Sequence, residues 1–232
     1  MESTRFPNKP LALIDGIPMI QRVWQQAKLS NIGPVIVACC ENEVSELIKS
    51  LGGETVMTHK DIPSGTDRIF EVIKNHSDKN KFDSIINLQG DMPLINPQDI
   101  KKVNKPLLQG FDIGTLVTNI SLEEEANINI TKVKINWIKK NDIGKAVDFY
   151  KNSKKVTDSI YHHVGIYSFS YKSLKKFIES DQSSNEVYHK LEQWRALDNN
   201  LTIGSSFVDN VPLSVDTKDD LIKVQNIIKG IK

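Results

Sequence analysis

The sequence has few cysteines, no long apolar run and no excess of charge of one sign. Its two cysteines, Cys39 and Cys40, are adjacent, which makes a normal disulfide between them geometrically very difficult. No apolar run approaches the roughly 18 residues that a membrane span needs, and Met1 precedes Glu2 without a signal-peptide core. The 30 basic and 29 acidic residues leave a net charge of +1. We therefore expect a cytoplasmic protein that binds neither nucleic acid nor membranes.

Several cofactor motifs are missing as well. There is no C-x-x-C or H-E-x-x-H spacing, so the sequence indicates no structural zinc site. There is no G-x-G-x-x-G and no G-x-x-x-x-G-K-[ST], which argues against dinucleotide oxidoreductases and P-loop enzymes. With 39% hydrophobic and 25% charged residues, the composition of the 232-residue chain is that of an ordinary globular protein.

Apolar runs rich in β-branched residues alternate with amphipathic patterns along the chain. The apolar runs predict strands at residues 34–38, 54–57, 84–88 and 114–118. The amphipathic patterns predict helices at residues 17–28, 43–51 and 185–197. This alternation predicts an α/β fold, with a mainly parallel mixed sheet covered by helices on both faces.

The pattern changes between about residues 131 and 170. Two alternating runs, 133–138 and 146–150, flank a turn signal at residues 141–144 and predict an antiparallel hairpin, and a strand is predicted at 164–169. The sequence contains no repeat and no clear linker. We therefore predict one domain over residues 1–232, with residues 131–170 as an inserted antiparallel element.

A basic segment lies near the first residue of the chain. Arg5 and Lys9 are four positions apart, and Pro7 and Pro10 keep the segment from being helical. Both cations can then face a polyphosphate, with backbone N–H groups and nearby hydroxyls as further donors. The alternative interpretation is a solvated basic terminus.

Two aspartates follow extended segments. Asp91 comes after the predicted strand 84–88, and Asp216 lies just before the last predicted helix, where Thr217 and Asp220 form a capping-box pattern. Ligands of open α/β sheets lie beyond the carboxyl ends of the strands, and Mg²⁺ carried by a nucleotide usually takes one or two protein carboxylates. We therefore expect Asp91 and Asp216 to share one Mg²⁺; the alternative is a turn aspartate and a helix-start aspartate.

Two further segments carry polar side chains. The run Ser64–Arg68 places a glycine between hydroxyls before a helix, where backbone N–H groups can meet an anion or a base edge. His163 and Tyr167 alternate along a predicted strand and should share one face, and Glu192 with Arg195 should share one helix face. The alternatives are an ordinary helix start, a core histidine and a solvated helix.

Taken in order, these segments resemble one family over nearly the whole chain. The runs S-T-R-F-P-N-K-P-L, S-G-T-D-R, L-Q-G-D-M-P, H-x-G-I-Y, L-E-Q-x-R and V-D-T resemble those of the 3-deoxy-manno-octulosonate cytidylyltransferases, or CMP-KDO synthetases. The resemblance implies a nucleotide-diphospho-sugar transferase-like fold and a homodimer. It also implies that a 3-deoxy-ulosonic acid attacks the α-phosphorus of CTP, which gives the CMP-sugar and pyrophosphate.

The resemblance also assigns roles to residues. Lys9, Arg5 and Asp91 would be catalytic, and Asp91 with Asp216 would hold Mg²⁺. The nucleotide-binding residues would be Ser3, Thr4, Ser64, Gly65, Thr66, Arg68 and Gln89. The sugar-binding residues would be Lys151, His163, Tyr167, Glu192 and Gln193.

The chain departs from the family pattern in two places. Family members usually begin with a buried strand and an I-P-A-R segment before the position that matches Met1, so we expect the first strand to be missing and strands 34–38 and 84–88 to flank a gap. Lys151 stands where the family has an arginine, and lysine lacks the bidentate recognition of carboxylates. Two alternatives remain open: a cytidylyltransferase for a related acid, of the amino-KDO or neuraminate type, and an N-terminally truncated, inactive CTP-binding homologue.

Overall fold

The computed structural model describes residue 6, residues 8–152 and residues 160–230. The chain forms two compact units, of which the first comprises residues 1–76, 89–100 and 212–232 and the second comprises residues 77–88 and 101–211. The interpretation of residues 1–232 as a single domain stays a prediction. None of the described helices has the length and apolarity that crossing a membrane requires.

The two units contain strands, helices and a 3₁₀ turn at Lys9–Leu11. The strands are β1 Leu13–Ile14, β2 Ile17–Pro18, β3 Ile36–Cys39, β4 Glu54–Met57, β5 Ile85–Asn87, β6 Ile113–Thr118, β7 Lys132–Lys139, β8 Ile143–Tyr150, β9 Ile160–Phe169 and β10 Ile203–Phe207. The helices are α1 Met19–Ser30, α2 Asn42–Ser50, α3 Gly65–Lys74, α4 Pro97–Lys102, α5 Lys105–Leu108, α6 Leu122–Ala126, α7 Tyr171–Glu179, α8 Ser184–His189, α9 Gln193–Asp198 and α10 Lys218–Ile228.

The first unit contains two small sheets, the antiparallel pair β1–β2 and the parallel pair β3–β4. One core cluster joins residues from distant parts of the chain: Phe6, Ile14, Met19, Val215 and Val224 are all buried together. The predicted capping box at the start of α10 is confirmed. Because its two reciprocal bonds satisfy the first free N–H groups, they fix where α10 begins.

The second unit is built on a six-stranded sheet with the order β5-β9-β6-β10-β8-β7, and β9 also pairs with β7. Strand β6 lies inside this sheet, between β9 and β10, and all six of its residues are buried. Such burial on both faces explains the continuous apolar character of the segment.

The α/β class is confirmed, but the prediction of a mainly parallel sheet is wrong. Of the eight described strand pairings, β3–β4 and β6–β10 are parallel and the other six are antiparallel. The long strand β9 runs antiparallel to its neighbours β5, β6 and β7. A strand that is buried on both faces is apolar whichever way it runs, so the sequence pattern carried no information on direction.

The predicted hairpin is confirmed. Strands β7 and β8 pair antiparallel, and the N–H of Asp142 donates to the carbonyl of Lys139 at 3.0 Å in the turn between them. Asn141 adopts a left-handed conformation with φ 56°, which asparagine tolerates better than most residues. Both strands continue the six-stranded sheet through β10, and the interpretation of residues 131–170 as an inserted element stays a prediction.

The single helix predicted at residues 185–197 is instead two helices, α8 and α9. The chain turns at Lys190, which has a left-handed φ of 55°, and the N–H of Leu191 donates to the carbonyl of Glu186. The turn allows Arg195 of α9 to form a buried ion pair with Glu186 of α8, at 2.9 Å from Nε and 2.6 Å from Nη2. Arg195 therefore pairs with Glu186, which no helix-face pattern would indicate.

Strands β3 and β5 belong to different sheets. Within residues 8–152 and 160–230, β3 pairs only with β4, and β5 pairs only with β9. The expected gap between them, and the missing first strand, stay predictions.

Candidate active site

One ammonium group of the first unit joins the two predicted aspartates. Lys9 Nζ lies 2.9 Å from Asp91 Oδ2 and 3.2 Å from Asp216 Oδ1. The side chain of Lys9 is 17% exposed, against 24% for Asp91 and 58% for Asp216. We call these three residues the Lys9 cluster. Of the four residues that the sequence assigned to catalysis and metal binding, the structure brings Lys9, Asp91 and Asp216 together, and Arg5 lies outside the described residues.

Local backbone structure holds each member of the Lys9 cluster. Lys9 begins a 3₁₀ turn after Asn8, whose φ of 54° is left-handed. The N–H of Val215 donates to the carbonyl of Asp91 at 2.9 Å, which brings the two aspartate-bearing segments side by side. The N–H of Asp216 donates to the Asp220 carboxylate at 3.2 Å, so the capping box of α10 also orients Asp216.

The positive charge of Lys9 and the negative charges of the two carboxylates stabilise one another. Burial by itself lowers the pKa of Lys9, but the carboxylates of Asp91 and then Asp216 outweigh it, so the pKa of Lys9 lies above its ordinary value of 10.5. The stability that this group contributes is complete below pH 10.5 and is lost only as the pH rises through the raised pKa. Lys9 is therefore a permanent cation at neutral pH.

The Lys9 cluster also offers two carboxylates to a divalent cation. Two carboxylates approach the same positive group, and carboxylate oxygens are the ligands that Mg²⁺ prefers. Among the described residues there is no group of three or more His, Cys, Asp or Glu side chains arranged for a metal ion. A site with two protein carboxylates fits Mg²⁺ that arrives with a nucleotide, because phosphate and water oxygens complete its shell.

The predicted nucleotide-side loop starts α3 in the same unit. Ser64 caps the helix, because its Oγ accepts from the N–H of Asp67 at 3.1 Å. A Cβ on Gly65 would lie 3.2 Å from Nε2 of Gln89, so glycine allows the loop and Gln89 to approach closely. Thr66 is buried, and Arg68 donates to the Thr58 hydroxyl and to the His59 carbonyl. Ser3, Thr4 and Arg5 lie outside the described residues.

A second polar group lies in the second unit. Nε2 of Gln193 donates to the Tyr167 hydroxyl at 2.5 Å, and the rings of Tyr167 and His163 are 5.6 Å apart. All three side chains are buried, and Glu192 lies close enough to influence Tyr167. Burial first, and then the charge of Glu192, raise the pKa of Tyr167 well above its ordinary value, so its hydroxyl stays protonated. We call His163, Tyr167, Glu192 and Gln193 the Tyr167 group.

Gln193 keeps an open acceptor. Its Oε1 is buried and accepts no hydrogen bond from any residue in the described ranges. A small cavity of about 10 Å³, lined partly by Tyr167, Glu192 and Gln193, lies beside it and has room for about one water molecule. A buried acceptor without a donor is costly, so Oε1 of Gln193 can accept a hydrogen bond from any donor that reaches this cavity.

Lys151 is the one predicted sugar-binding residue that stands apart. No hydrogen bond within the described residues joins its side chain to the Tyr167 group. Its carbonyl instead accepts from Lys132 Nζ at 2.7 Å, and the same nitrogen lies 2.5 Å from the Asn127 carbonyl. Lys132 is fully buried, and burial lowers its pKa. Its ammonium thus ties two backbone segments together.

The sequence analysis did not identify Thr115 of β6, which lies against His163. It named Arg195 but did not predict the ion pair of Glu186 and Arg195, which holds the helix that carries Gln193. A hydroxyl inside the apolar run of β6 was a detectable signal for Thr115. For the buried Lys132, the sequence offered none.

The fold has solved relatives. The chain is similar to a UDP-glucose pyrophosphorylase complexed with UDP-glucose, with a TM-score of 0.68 and 12% identity over 99% of this chain and 96% of that one. It is also similar to a CMP:2-keto-3-deoxy-manno-octonic acid synthetase complexed with CTP, with a TM-score of 0.88 and 31% identity over 98% of this chain and 94% of that one. The chain therefore has the α/β fold of the nucleotidyltransferases.

Sequence comparisons narrow the class to one family. Residues 1–203 match the family model described as cytidylyltransferase. A curated 3-deoxy-manno-octulosonate cytidylyltransferase of Paramagnetospirillum magneticum is 41% identical over 233 residues, which cover 99% of this chain and 95% of the relative. The chain belongs to the cytidylyltransferase family and is thus an enzyme of the nucleotidyltransferase type.

Proposed function

We propose that this enzyme transfers CMP from CTP to 3-deoxy-manno-octulosonate (KDO), for lipopolysaccharide synthesis. The observation that carries the proposal is the Lys9 cluster, with one cation and two carboxylates in a chain whose relatives bear that name. The anomeric hydroxyl oxygen forms a bond to the α-phosphorus and loses its proton to solvent, the bond from the α-phosphorus to the oxygen that bridges to the β-phosphate breaks, and pyrophosphate leaves with that oxygen. Because CTP is a cytoplasmic nucleotide, we assign the enzyme to the cytoplasm.

The roles of the nucleotide-side residues follow from charge. Phosphoryl-type transfer needs positioning and charge neutralisation more than a strong acid or base. Lys9, with Arg5, would hold the triphosphate, and Asp91 with Asp216 would hold Mg²⁺. When bound, Mg²⁺ supplies positive charge to the phosphates. The loop Ser64–Arg68 would take the cytidine side, together with Ser3, Thr4 and Gln89.

The Tyr167 group would take the sugar acid. The open Oε1 of Gln193 supports this role, because an acceptor buried without a donor suits a sugar hydroxyl. Lys151 would meet the sugar as a flexible cation at the end of β8. The homodimer stays a proposal that rests on the family resemblance, and sedimentation of the purified protein tests it.

The test is release of pyrophosphate from CTP with a panel of acids. We expect release with KDO and Mg²⁺, and a product with the mass of CMP-KDO. An amino-KDO and N-acetylneuraminate in parallel reactions distinguish the related acids. Release with one of those acids and not with KDO would reassign the acceptor. Binding of CTP without release for every acid would support the inactive homologue instead.

A further inference from the structure

The buried hydroxyl of Thr115 has three polar neighbours on β9. Its Oγ1 lies 2.9 Å from the carbonyl oxygen of Ile166, 3.2 Å from that of Val164 and 2.9 Å from Nε2 of His163. Thr115 is 0% exposed. Water does not compete for these contacts, so the hydroxyl and its neighbours must satisfy one another.

The proton inventory of these groups fixes the direction of each bond. A hydroxyl has one proton to donate and two lone pairs that accept, whereas a carbonyl only accepts. If the Thr115 proton went to Nε2 of His163, its oxygen would face two carbonyl oxygens at 2.9 and 3.2 Å with no proton between them. Thr115 therefore gives its proton to the Ile166 or Val164 carbonyl. The remaining contact with His163 is a hydrogen bond only if Nε2 carries a proton and donates it to Thr115.

An irregularity in β9 explains why these carbonyls face a side chain. Thr115 pairs with Tyr167 and the next residue, Leu116, pairs with Val164, so two residues of β9 bulge out between them. Bulges leave backbone groups outside the ladder and redirect side chains. The bulge lies between His163 and Tyr167, whose ring centroids are 5.6 Å apart.

The ring of His163 carries no charge. Burial first, and then the neighbouring His162, lower the pKa of His163 to about 3. A neutral imidazole has a single N–H, so a proton on Nε2 leaves a lone pair on Nδ1. An acceptor at Nδ1 can bind a hydroxyl, which has a proton to donate, but not a carboxylate.

We propose that Thr115 is a positioning residue that holds His163 as the Nε2–H tautomer, so that Nδ1 accepts a hydrogen bond from a hydroxyl of the sugar acid. The identity of that ligand rests on the proposed function, whereas the tautomer does not. The bulge and Thr115 act together: a carbonyl at the bulge accepts the only proton of the Thr115 hydroxyl, which leaves that hydroxyl as an acceptor for His163.

Nitrogen NMR of the ¹⁵N-labelled enzyme tests the tautomer directly. Long-range ¹H–¹⁵N correlations at neutral pH should show a protonated Nε2 and an unprotonated Nδ1 for His163, with His163→Gln used to assign its signals. In Thr115→Val the preference for Nε2–H should weaken, and Thr115→Ser, which keeps the hydroxyl, should restore it. A wild-type ring protonated on Nδ1 overturns the proposal, whether or not the valine variant folds.

Steady-state kinetics tests the consequence for the substrate. We expect Thr115→Val to raise the KM for KDO about tenfold, the effect of one lost hydrogen bond, and to leave the KM for CTP unchanged. Thr115→Ser should stay close to wild type. Equal rises in both KM values would indicate a general structural role and overturn the assignment. If the wild-type enzyme is inactive with KDO, this sugar acid is ruled out as the ligand of Nδ1, whereas the NMR result still decides the tautomer of His163.

Discussion

Nζ of Lys9 lies 2.9 Å from Oδ2 of Asp91, although 82 positions separate the two residues in the chain. The same nitrogen reaches Asp216, so one cation neutralises part of the charge of two carboxylates. A divalent cation at these carboxylates would compete with Lys9 for them. Under the proposed function, a bound Mg²⁺ and the triphosphate would therefore share one set of charges with Lys9, and a change in any of the three would affect the other two.

Replacement of Lys9 should affect turnover far more than stability. We expect Lys9→Gln to lower the rate of pyrophosphate release by about 100-fold, a typical effect of removing one charge-stabilising donor. Partly exposed ion pairs contribute about 1 kcal/mol or less, so the free energy of unfolding should fall only slightly. Lys28→Gln, on the exposed side of α1, is the control. An unchanged rate for Lys9→Gln would remove Lys9 from the proposed mechanism.

Asp91 and Asp216 should determine the requirement for Mg²⁺. We expect Asp91→Asn and Asp216→Asn each to raise the Mg²⁺ concentration for half-maximal activity by at least about tenfold, because each loses one charged ligand. Asp219→Asn is the matched control, since Asp219 is an exposed aspartate three positions beyond Asp216. If the control shifts as much as Asp216→Asn, the effect is one of general charge and the shared site is wrong.

The ion pair of Glu186 and Arg195 should be worth far more than an exposed one. Glu186→Gln leaves Arg195 buried without its counter-charge, which typically costs about 3 to 5 kcal/mol. Urea denaturation measures this loss. Glu179→Gln is the control, because Glu179 pairs with Lys175 at 3.7 Å with both side chains more than half exposed. That pair should contribute less than about 1 kcal/mol. Similar losses for the two variants would contradict the role of burial.

Features that depend on neighbours in sequence were predictable. The capping box of α10 spans four residues, from Thr217 to Asp220, and the turn of the hairpin depends on Asn141, so local chemistry decides both. The break at Lys190 was not predictable from neighbouring residues, because what it makes possible is a contact across the turn, between Glu186 and Arg195.

Features that depend on distant partners were missed in the candidate site as well. Thr115 and His163 lie 48 positions apart and meet only because β6 pairs with β9. The direction of β9 depends on its neighbours in the sheet, and its residue types do not encode it. The composition of a single strand cannot reveal either relationship.

The stability of the protein should fall as the pH drops below neutral. Burial is the first cause that lowers the pKa of both His162 and His163 below the ordinary value of 6.5, to about 3 for His163. At a pH between the pKa of the folded chain and that of the unfolded chain, the unfolded chain binds more protons. The stability that the two neutral histidines contribute is therefore complete above pH 6.5 and is lost as the pH falls towards the folded pKa.

Urea denaturation between about pH 7 and about pH 5 measures this loss. For His163, the slope should approach about 1.4 kcal/mol per pH unit at the acidic end of this range. His163→Asn should remove its share of the slope, whatever its effect on stability at neutral pH. A variant with the wild-type slope would show that His163 is not neutral in the folded enzyme.

The core cluster of the first unit has a consequence for the timing of biosynthesis. Asp216 follows Lys9 by 207 positions, which correspond to about 10 to 40 seconds of translation at about 5 to 20 residues per second. Phe6, Ile14 and Met19 are made early, whereas their packing partners Val215 and Val224 leave the ribosome much later. Throughout that interval the native core cluster cannot form, so these apolar side chains favour aggregation of the nascent chain unless something else covers them.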